Sequence, residues 1–244
     1  MKKEILILLL TAANIMSAKF IKIAHRGASG TNPENTLISF KNALNCADMI
    51  EFDVHLTKDG HLIIFHDDTL ERVTASNGKI SDKTLAELKS LAVLGKEKIP
   101  TLAEALVAID RKLPVDIELK GKNTAKKVAD TLKEFLKKGW NYSDFLISSF
   151  DHEQVYEFNR YLPEVKTAFL YWQELPTEKE MKEIRNNGID WLILDSKTIT
   201  QKFIKEAQKL GFEVGVYTVD DACEYQKLKS WGVNGIATDF PEKF

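Results

Sequence analysis

One alternation constrains this chain more than any other feature. Eight short apolar runs recur along it: FIKIAH, MIEFDVHL, LPVDIELK, DFLISSF, VKTAFLYW, IDWLILD, FEVGVYTV and VNGIATDF. Between them lie amphipathic stretches with helical spacing, among them TAKKVADTLKEFLKKG, TEKEMKEIRNNG, TQKFIKEAQKLG and DACEYQKLKSWG. These four end on Gly139, Gly188, Gly211 and Gly232, the residue type that most easily follows a helix C-terminus. Strand alternating with helix predicts βα units and a parallel sheet. Eight such units predict an α/β fold of the closed (β/α)8 type, a TIM barrel, for which 244 residues is an ordinary length. An open doubly wound sheet is the alternative, but no G-x-G-x-x-G follows the first run to support it.

One interval breaks the rhythm. More than fifty residues separate the second run from LPVDIELK, against roughly thirty for a βαβ unit. Within it, KDG followed by HLIIFHDD reads as a turn and a return strand. A polar turn and short helix in ERVTASNGKISDKTLAELKSL come next, and then IPTLAEALVAI as the barrel helix. The expectation is a small insertion over about residues 57–98, at the C-terminal end of the second strand, which is the active-site end of such barrels.

The N-terminus differs in kind. MKKEILILLLTAANIMSAKF carries two lysines, an apolar run and then small residues up to Ala18, the pattern of a secretory signal peptide cut after residue 18. Glu4 and Met16 depart from that pattern, and the alternative is an apolar helix plugging one end of the barrel. Residues 19–244 would then be the mature domain, exported if the leader is genuine and cytoplasmic if it is not. The apolar run is shorter than the ~20 residues a membrane span needs. Lys and Arg number 34 against 36 Asp and Glu, for a net charge of −2, so there is no basic excess of the kind nucleic-acid binding requires. The lysine-rich stretch from Lys126 to Lys138 reads as the solvated face of an outer helix. Cys46 and Cys223 have no metal or disulfide spacing.

The chemistry gathers at three neighbouring strand ends. In MIEFDVHL, Glu51, Asp53 and His55 share one face, and Ile50, Phe52 and Val54 take the other. In VDIELK the same alternation puts Asp116, Glu118 and Lys120 together, and the first strand ends in His25-Arg26-Gly27. Two carboxylates about 4 Å apart repel by roughly 4 kcal/mol at an effective dielectric near 20. Glu51, Asp53 and Glu118 can relieve that repulsion by protonation, by pairing with Arg26 and Lys120, or by binding a cation. All-oxygen ligands suit Mg2+ or Ca2+ better than Zn2+. A metal-free ion-pair network is the competing reading.

The same residues carry a family resemblance. HRGASGTNPENT resembles the opening motif of the glycerophosphodiester phosphodiesterases, and EFDVHLTKDGHLIIFHDDTLERVT resembles their second block. IPTLAEAL, DIELK, ISSFD, VYTV and GVNGIATDFP are similar to later blocks, in the same order. The resemblance implies a metal-dependent hydrolase that releases glycerol 3-phosphate and an alcohol from small glycerophosphodiesters. It implies Glu51, Asp53 and Glu118 as metal ligands and His25 and His66 as the acid–base pair. Arg26 and Lys120 would hold phosphate, with Glu34 lining the pocket and orienting its neighbours. Asp220 stands where the family usually has Asn, and no role is carried onto it.

Plainer readings stand beside these. Glu34 also suits a helix cap in NPENT, and Lys120 suits neutralisation of Glu118. His55 is a further candidate for the pocket, as are Trp172 and Tyr217 near later strand ends. Asp116 lies one layer deeper, without an assigned role. His61 and His152 have no supporting context and read as surface residues. The rival functions are a phospholipase D or lysophospholipase D acting on lipid phosphodiesters, disfavoured by the lack of a long apolar lid, and a barrel that binds phosphate compounds without turnover. Head group, choice of Mg2+ or Ca2+, which histidine is the base, the first nucleophile and oligomeric state are not legible.

Overall fold

All eight apolar runs become strands in the computed structural model, which describes residues 20–244. They are β1 (Ile21–Ala24), β2 (Met49–Leu56), β3 (Val115–Leu119), β4 (Phe145–Ser149), β5 (Lys166–Tyr171), β6 (Trp191–Asp195), β7 (Glu213–Tyr217) and β8 (Gly235–Thr238). Each pairs in parallel with its successor, and β1 pairs with both β2 and β8, so the barrel closes. The leader expected over residues 1–18 lies outside the described residues.

Seven helices return the chain around the outside: α1 (Leu37–Ala43), α2 (Leu102–Ile109), α3 (Ala125–Lys137), α4 (His152–Tyr161), α5 (Glu178–Asn186), α6 (Gln201–Lys209) and α7 (Ala222–Trp231). Their starts are legible in the sequence. Thr101 with Glu104 and Thr177 with Glu180 form reciprocal capping boxes on α2 and α5. The four helix-ending glycines all take positive φ, from +85° to +94°, as a left-handed cap requires. On α3 the lysines face solvent while Val128, Ala129, Leu132 and Phe135 pack inward. Among the described residues no helix is long and apolar enough to cross a membrane.

The expected insertion is present. Leu62–Ile64 returns antiparallel to β2 after the Lys58-Asp59-Gly60 turn, with the Thr57 amide donating to the His61 carbonyl at 2.9 Å. A short helix (Leu85–Ser90) and a two-stranded ribbon (Ala92–Val93 with Glu97–Lys98) complete it. Ile63, Phe65, Leu70, Val73, Ile80, Leu88, Val93 and Ile99 give it a small core of its own.

The facing of β2 follows from burial. Ile50, Phe52 and Val54 are wholly buried among the outer helices, each contributing about 1.5–3 kcal/mol. A one-residue slip would push the acids into that apolar layer and turn these side chains inward. Register therefore holds Glu51 and Asp53 inside the barrel. Beside the acids the interior holds an apolar cluster in which Ile23, Met49, Leu146, Ala168, Leu170, Trp191, Ile193 and Ala237 pack together. Gly215 and Gly235 let Ile193 and Ile23 pack closely, since an added Cβ would lie 3.2 Å from Ile193 Cγ1 and 3.2 Å from Ile23 Cδ1.

Candidate active site

The His-Arg-Gly sequence after β1 forms a sharp turn. Arg26 sits at φ +52°, a left-handed conformation costing about 1–2 kcal/mol for a residue with a Cβ. The turn aims its backbone N–H at Glu51 Oε2, 2.8 Å away, and such a hydrogen bond contributes about 0.5–1.5 kcal/mol, which offsets much of that cost. Gly27 follows at φ +78°, where an added Cβ would lie 2.4 Å from Ser39 Oγ. Only glycine fits there.

β2 and β3 bring four acids together. Their register sets Glu51 beside Asp116 and Asp53 beside Glu118, and all four are buried. One carboxylate oxygen from each of Glu51, Asp53 and Glu118 falls within 4.8 Å of the others. Asp53 Oδ2 accepts from Asn35 Nδ2 at 2.8 Å, whereas Asp53 Oδ1 and Glu118 Oε1 are buried without a hydrogen-bond partner. Lys120 Nζ stands 2.9 Å from Glu118 Oε1 and 3.8 Å from Asp53 Oδ1, close enough for ion pairs but not aligned for a hydrogen bond to either. Three buried carboxylates that converge, with Lys120 as the cation beside Glu118 and Asp53, make an all-oxygen set that fits a hard divalent cation.

The electrostatics agree. Burial, then the neighbouring carboxylates led by Asp53, pushes Glu51 well above the usual carboxylate range. Burial and Asp53 push Glu118 up to about 8. Burial acts on Asp53 in the same direction, but His66, Arg26 and Lys120 outweigh it and hold that carboxyl low. Asp116, unaccounted for in the sequence, is raised to about 7 by burial and accepts from Ser148 Oγ at 2.8 Å.

Both proposed acid–base histidines line one cavity of about 480 Å3 with Glu51, Glu118, Arg26 and Lys120. Each ring has its Nδ1 tied to a carboxylate. His25 Nδ1 lies 2.6 Å from Asp239 Oδ1, which Ser29 Oγ also contacts at 2.9 Å. His66 Nδ1 lies 2.6 Å from Asp67 Oδ1. Burial alone would raise Asp67, but hydrogen bonds from Arg72 and His66 bring it down to about 2; Asp239 is held low chiefly by His25, against its own burial. Ionised carboxylates only accept, so each Nδ1 carries the proton and each Nε2 is the atom left for chemistry.

A pH prediction follows from Asp67. Its folded pKa is depressed, so its contribution to stability is complete above about pH 4 and is lost as pH falls toward 2. Acid unfolding of Asp67→Asn and the parent should therefore differ near neutrality and converge at the lowest pH. A gap that persists below pH 2 would refute this assignment.

The opposite cavity wall is apolar: Phe150, Leu170, Trp172, Ile193 and Tyr217. Trp172 and Tyr217 thus stand at the pocket, with Tyr217 Oη donating to the Tyr171 carbonyl at 2.9 Å. Lys120 Nζ lies 5.3 Å from the centre of the Phe150 ring.

Other expectations are corrected. Glu34 neither caps α1 nor belongs to the cavity lining. Thr36 is the N-cap, and Glu34 stands behind Arg26, accepting from its Nη1 at 2.9 Å. A carboxylate repels phosphate, so its place is to orient the arginine. His55 is buried beneath the site, with Nε2 3.2 Å from the His66 carbonyl. His152 is half-buried and partnered, not a free surface residue: its ring stacks on Phe169 at 3.8 Å, and Nε2 lies 3.1 Å from the Leu170 carbonyl. His61 is exposed, as expected. Asp220 Oδ1 accepts from Thr238 Oγ1 and the Asp239 amide, both at 2.9 Å, and so shapes the loop that carries the partner of His25.

Asn35, Asp67, Arg72 and Asp239 also hold the site, and of these only Asp67 carries a local signal, since it follows His66 directly. Asp239 and His25 are 214 positions apart, with no local signal to join them.

The chain is also similar to known proteins over most of its length. Residues 25–243 match the glycerophosphoryl diester phosphodiesterase family model. A glycerophosphodiester phosphodiesterase of Caldanaerobacter subterraneus is 34% identical over 239 residues, covering 92% of this chain and 96% of the relative. One from Bacillus subtilis is 31% identical, covering 95% and 87%. Among solved structures, an Oleispira antarctica phosphodiesterase in complex with the product sn-glycerol-3-phosphate superposes with a TM-score of 0.82 at 30% identity, covering 91% of this chain and 94% of that one.

Proposed function

The chain belongs to the glycerophosphoryl diester phosphodiesterase family and hydrolyses glycerophosphodiesters, and we propose that it yields glycerol 3-phosphate and an alcohol with Glu51, Asp53 and Glu118 holding a divalent cation and His25 and His66 moving the protons. One observation carries the residue assignment: two imidazoles, each with Nδ1 fixed on a carboxylate, open onto the cavity that Glu51 and Glu118 line, with Asp53 within 4.8 Å of both.

The chain's own groups divide the work. Arg26 and Lys120 neutralise the phosphodiester anion. Burial works against both cations, but Asp53 and Glu34 beside Arg26, and Glu118 and Asp53 beside Lys120, hold their pKa values above the ordinary range. One histidine accepts the proton of the attacking oxygen at Nε2, and the other delivers a proton from Nε2 to the departing alkoxide. The phosphorus–oxygen bond to the alcohol breaks as the new one forms, and one water is consumed per turnover. A divalent ion held by Glu51, Asp53 and Glu118 would supply Lewis-acid stabilisation of the charge that develops in the transition state. Its ligand set of three carboxylates favours Mg2+ or Ca2+.

The decisive measurement is release of glycerol 3-phosphate by purified protein from glycerophosphocholine, glycerophosphoethanolamine and glycerophosphoglycerol, before and after chelation. Release is expected, lost with chelator and restored by Mg2+ or Ca2+. No release with either ion would overturn the reading. The apolar wall of Phe150, Leu170, Trp172 and Ile193 gives the lysophospholipase D reading a physical basis. Adding the acylated counterpart of glycerophosphocholine to the panel decides between them: faster turnover of that lipid would favour it.

A further inference from the structure

His66 and Arg26 come from opposite sides of a seam. His66 follows the return strand of the insertion, and Arg26 follows β1 of the barrel. One side chain joins them. Arg72, in the insertion, donates Nε to Asp67 Oδ2 at 2.6 Å and Nη2 to Asp67 Oδ1 at 3.1 Å. The same guanidinium donates Nη1 to Glu34 Oε2 at 2.6 Å and Nη2 to Glu34 Oε1 at 2.7 Å. Asp67 grips His66 Nδ1, and Glu34 grips Arg26 Nη1. Two forks of one rigid plane thus fix two carboxylates, each of which holds a group that lines the cavity. Arg72 is not itself among the cavity-lining residues.

We propose that Arg72 is a positioning residue that sets His66 and Arg26 at a fixed orientation to each other across the seam between insertion and barrel. The inference rests on the roles given above to those two residues. Its own backbone is anchored: Leu70 and Val73 on either side are buried in the insertion's core, and the Val73 carbonyl accepts from the Leu94 amide at 2.7 Å. Arg72 is 44% exposed, so its pairs add only a modest share of stability, and the two carboxylates they hold are the ones that fix His66 and Arg26. Lysine cannot replace it. One ammonium on a flexible stem cannot serve two carboxylates bidentately.

The test is a cycle of Arg72→Ala, His66→Ala and the double variant, with Arg72→Lys alongside, read as kcat, KM and thermal midpoint on glycerophosphocholine. Arg72→Ala should lower kcat by about 10- to 100-fold, as loss of supporting partners around a site typically does. KM should rise as Arg26 loosens, and the thermal midpoint should fall only slightly. Arg72→Lys, which keeps the charge and serves as the readout should Arg72→Ala fail to fold, should recover little of the turnover. In the His66→Ala background the further loss of kcat should shrink to under about threefold, the non-additivity of coupled groups. Near-parental kinetics in Arg72→Ala or Arg72→Lys, or a full repeated loss in the His66→Ala background, overturns the proposal. A parent that releases no glycerol 3-phosphate instead sinks the function on which it rests.

Discussion

His66→Ala is expected to leave a folded barrel that releases glycerol 3-phosphate about 10² to 10⁴ times more slowly than the parent. The ring is partly exposed at the cavity, and its principal tie is the Nδ1 contact to Asp67. The insertion's stability rests on its own apolar cluster, which does not include His66. Truncation therefore removes a proton carrier without opening the core. His25→Ala should cost a similar factor, because Asp239 fixes that ring in the same manner. The two variants separate the roles. Whichever histidine is the base, its loss should abolish the rising limb of the pH–rate profile, and loss of the acid should abolish the falling limb. A folded His66→Ala protein with near-parental turnover would remove that residue from the mechanism.

Glu118→Gln is expected to cancel the thermal response to divalent ions. A ligand at about 100 times its Kd stabilises the native state by roughly 2.7 kcal/mol. In a chain of this size that corresponds to a rise in Tm of about 5–10 °C. The parent should show this rise with Mg2+ or Ca2+, and Glu118→Gln should lose most of it together with turnover. Glutamine keeps the shape of the side chain while removing one of the crowded carboxyls, so the ion-free variant should be at least as stable as the ion-free parent. Burial and Asp53 push Glu118 up to about 8, so at neutral pH the ion-free parent must take up a proton there on folding, and that cost is what the substitution relieves. A variant whose Tm still rises with the ion as the parent's does would take Glu118 out of the ligand set. A parent unmoved by either ion would take away the ion itself.

The acids were legible because strand alternation is a local rule. Glu51 and Asp53 lie two residues apart, and outward burial of Ile50, Phe52 and Val54 leaves their side chains one direction to point. Neighbouring parallel strands then set Asp53 beside Glu118. His152 shows where this reasoning stops. Nothing near it in sequence announces that Phe169 and the Leu170 carbonyl will meet its ring. Glu34 fails for a related reason. Its motif marks a helix start, yet the cap fell to Thr36, because Arg26 and Arg72 offered the carboxylate two charged partners.

Periodicity, capping residues and helix-ending glycines were enough to specify eight strands, most of the outer helices and an inserted hairpin, since each depends on residues within a turn or two of one another. They also specified which acids share the barrel's interior, since burial of one strand face decides the other. Closure of the barrel decided the rest. It brought Asp239 to His25 across 214 positions and seated Arg72 between Glu34 and Asp67. Such pairings depend on where whole elements dock and on the torsions of long side chains, and no run of neighbouring residues encodes either.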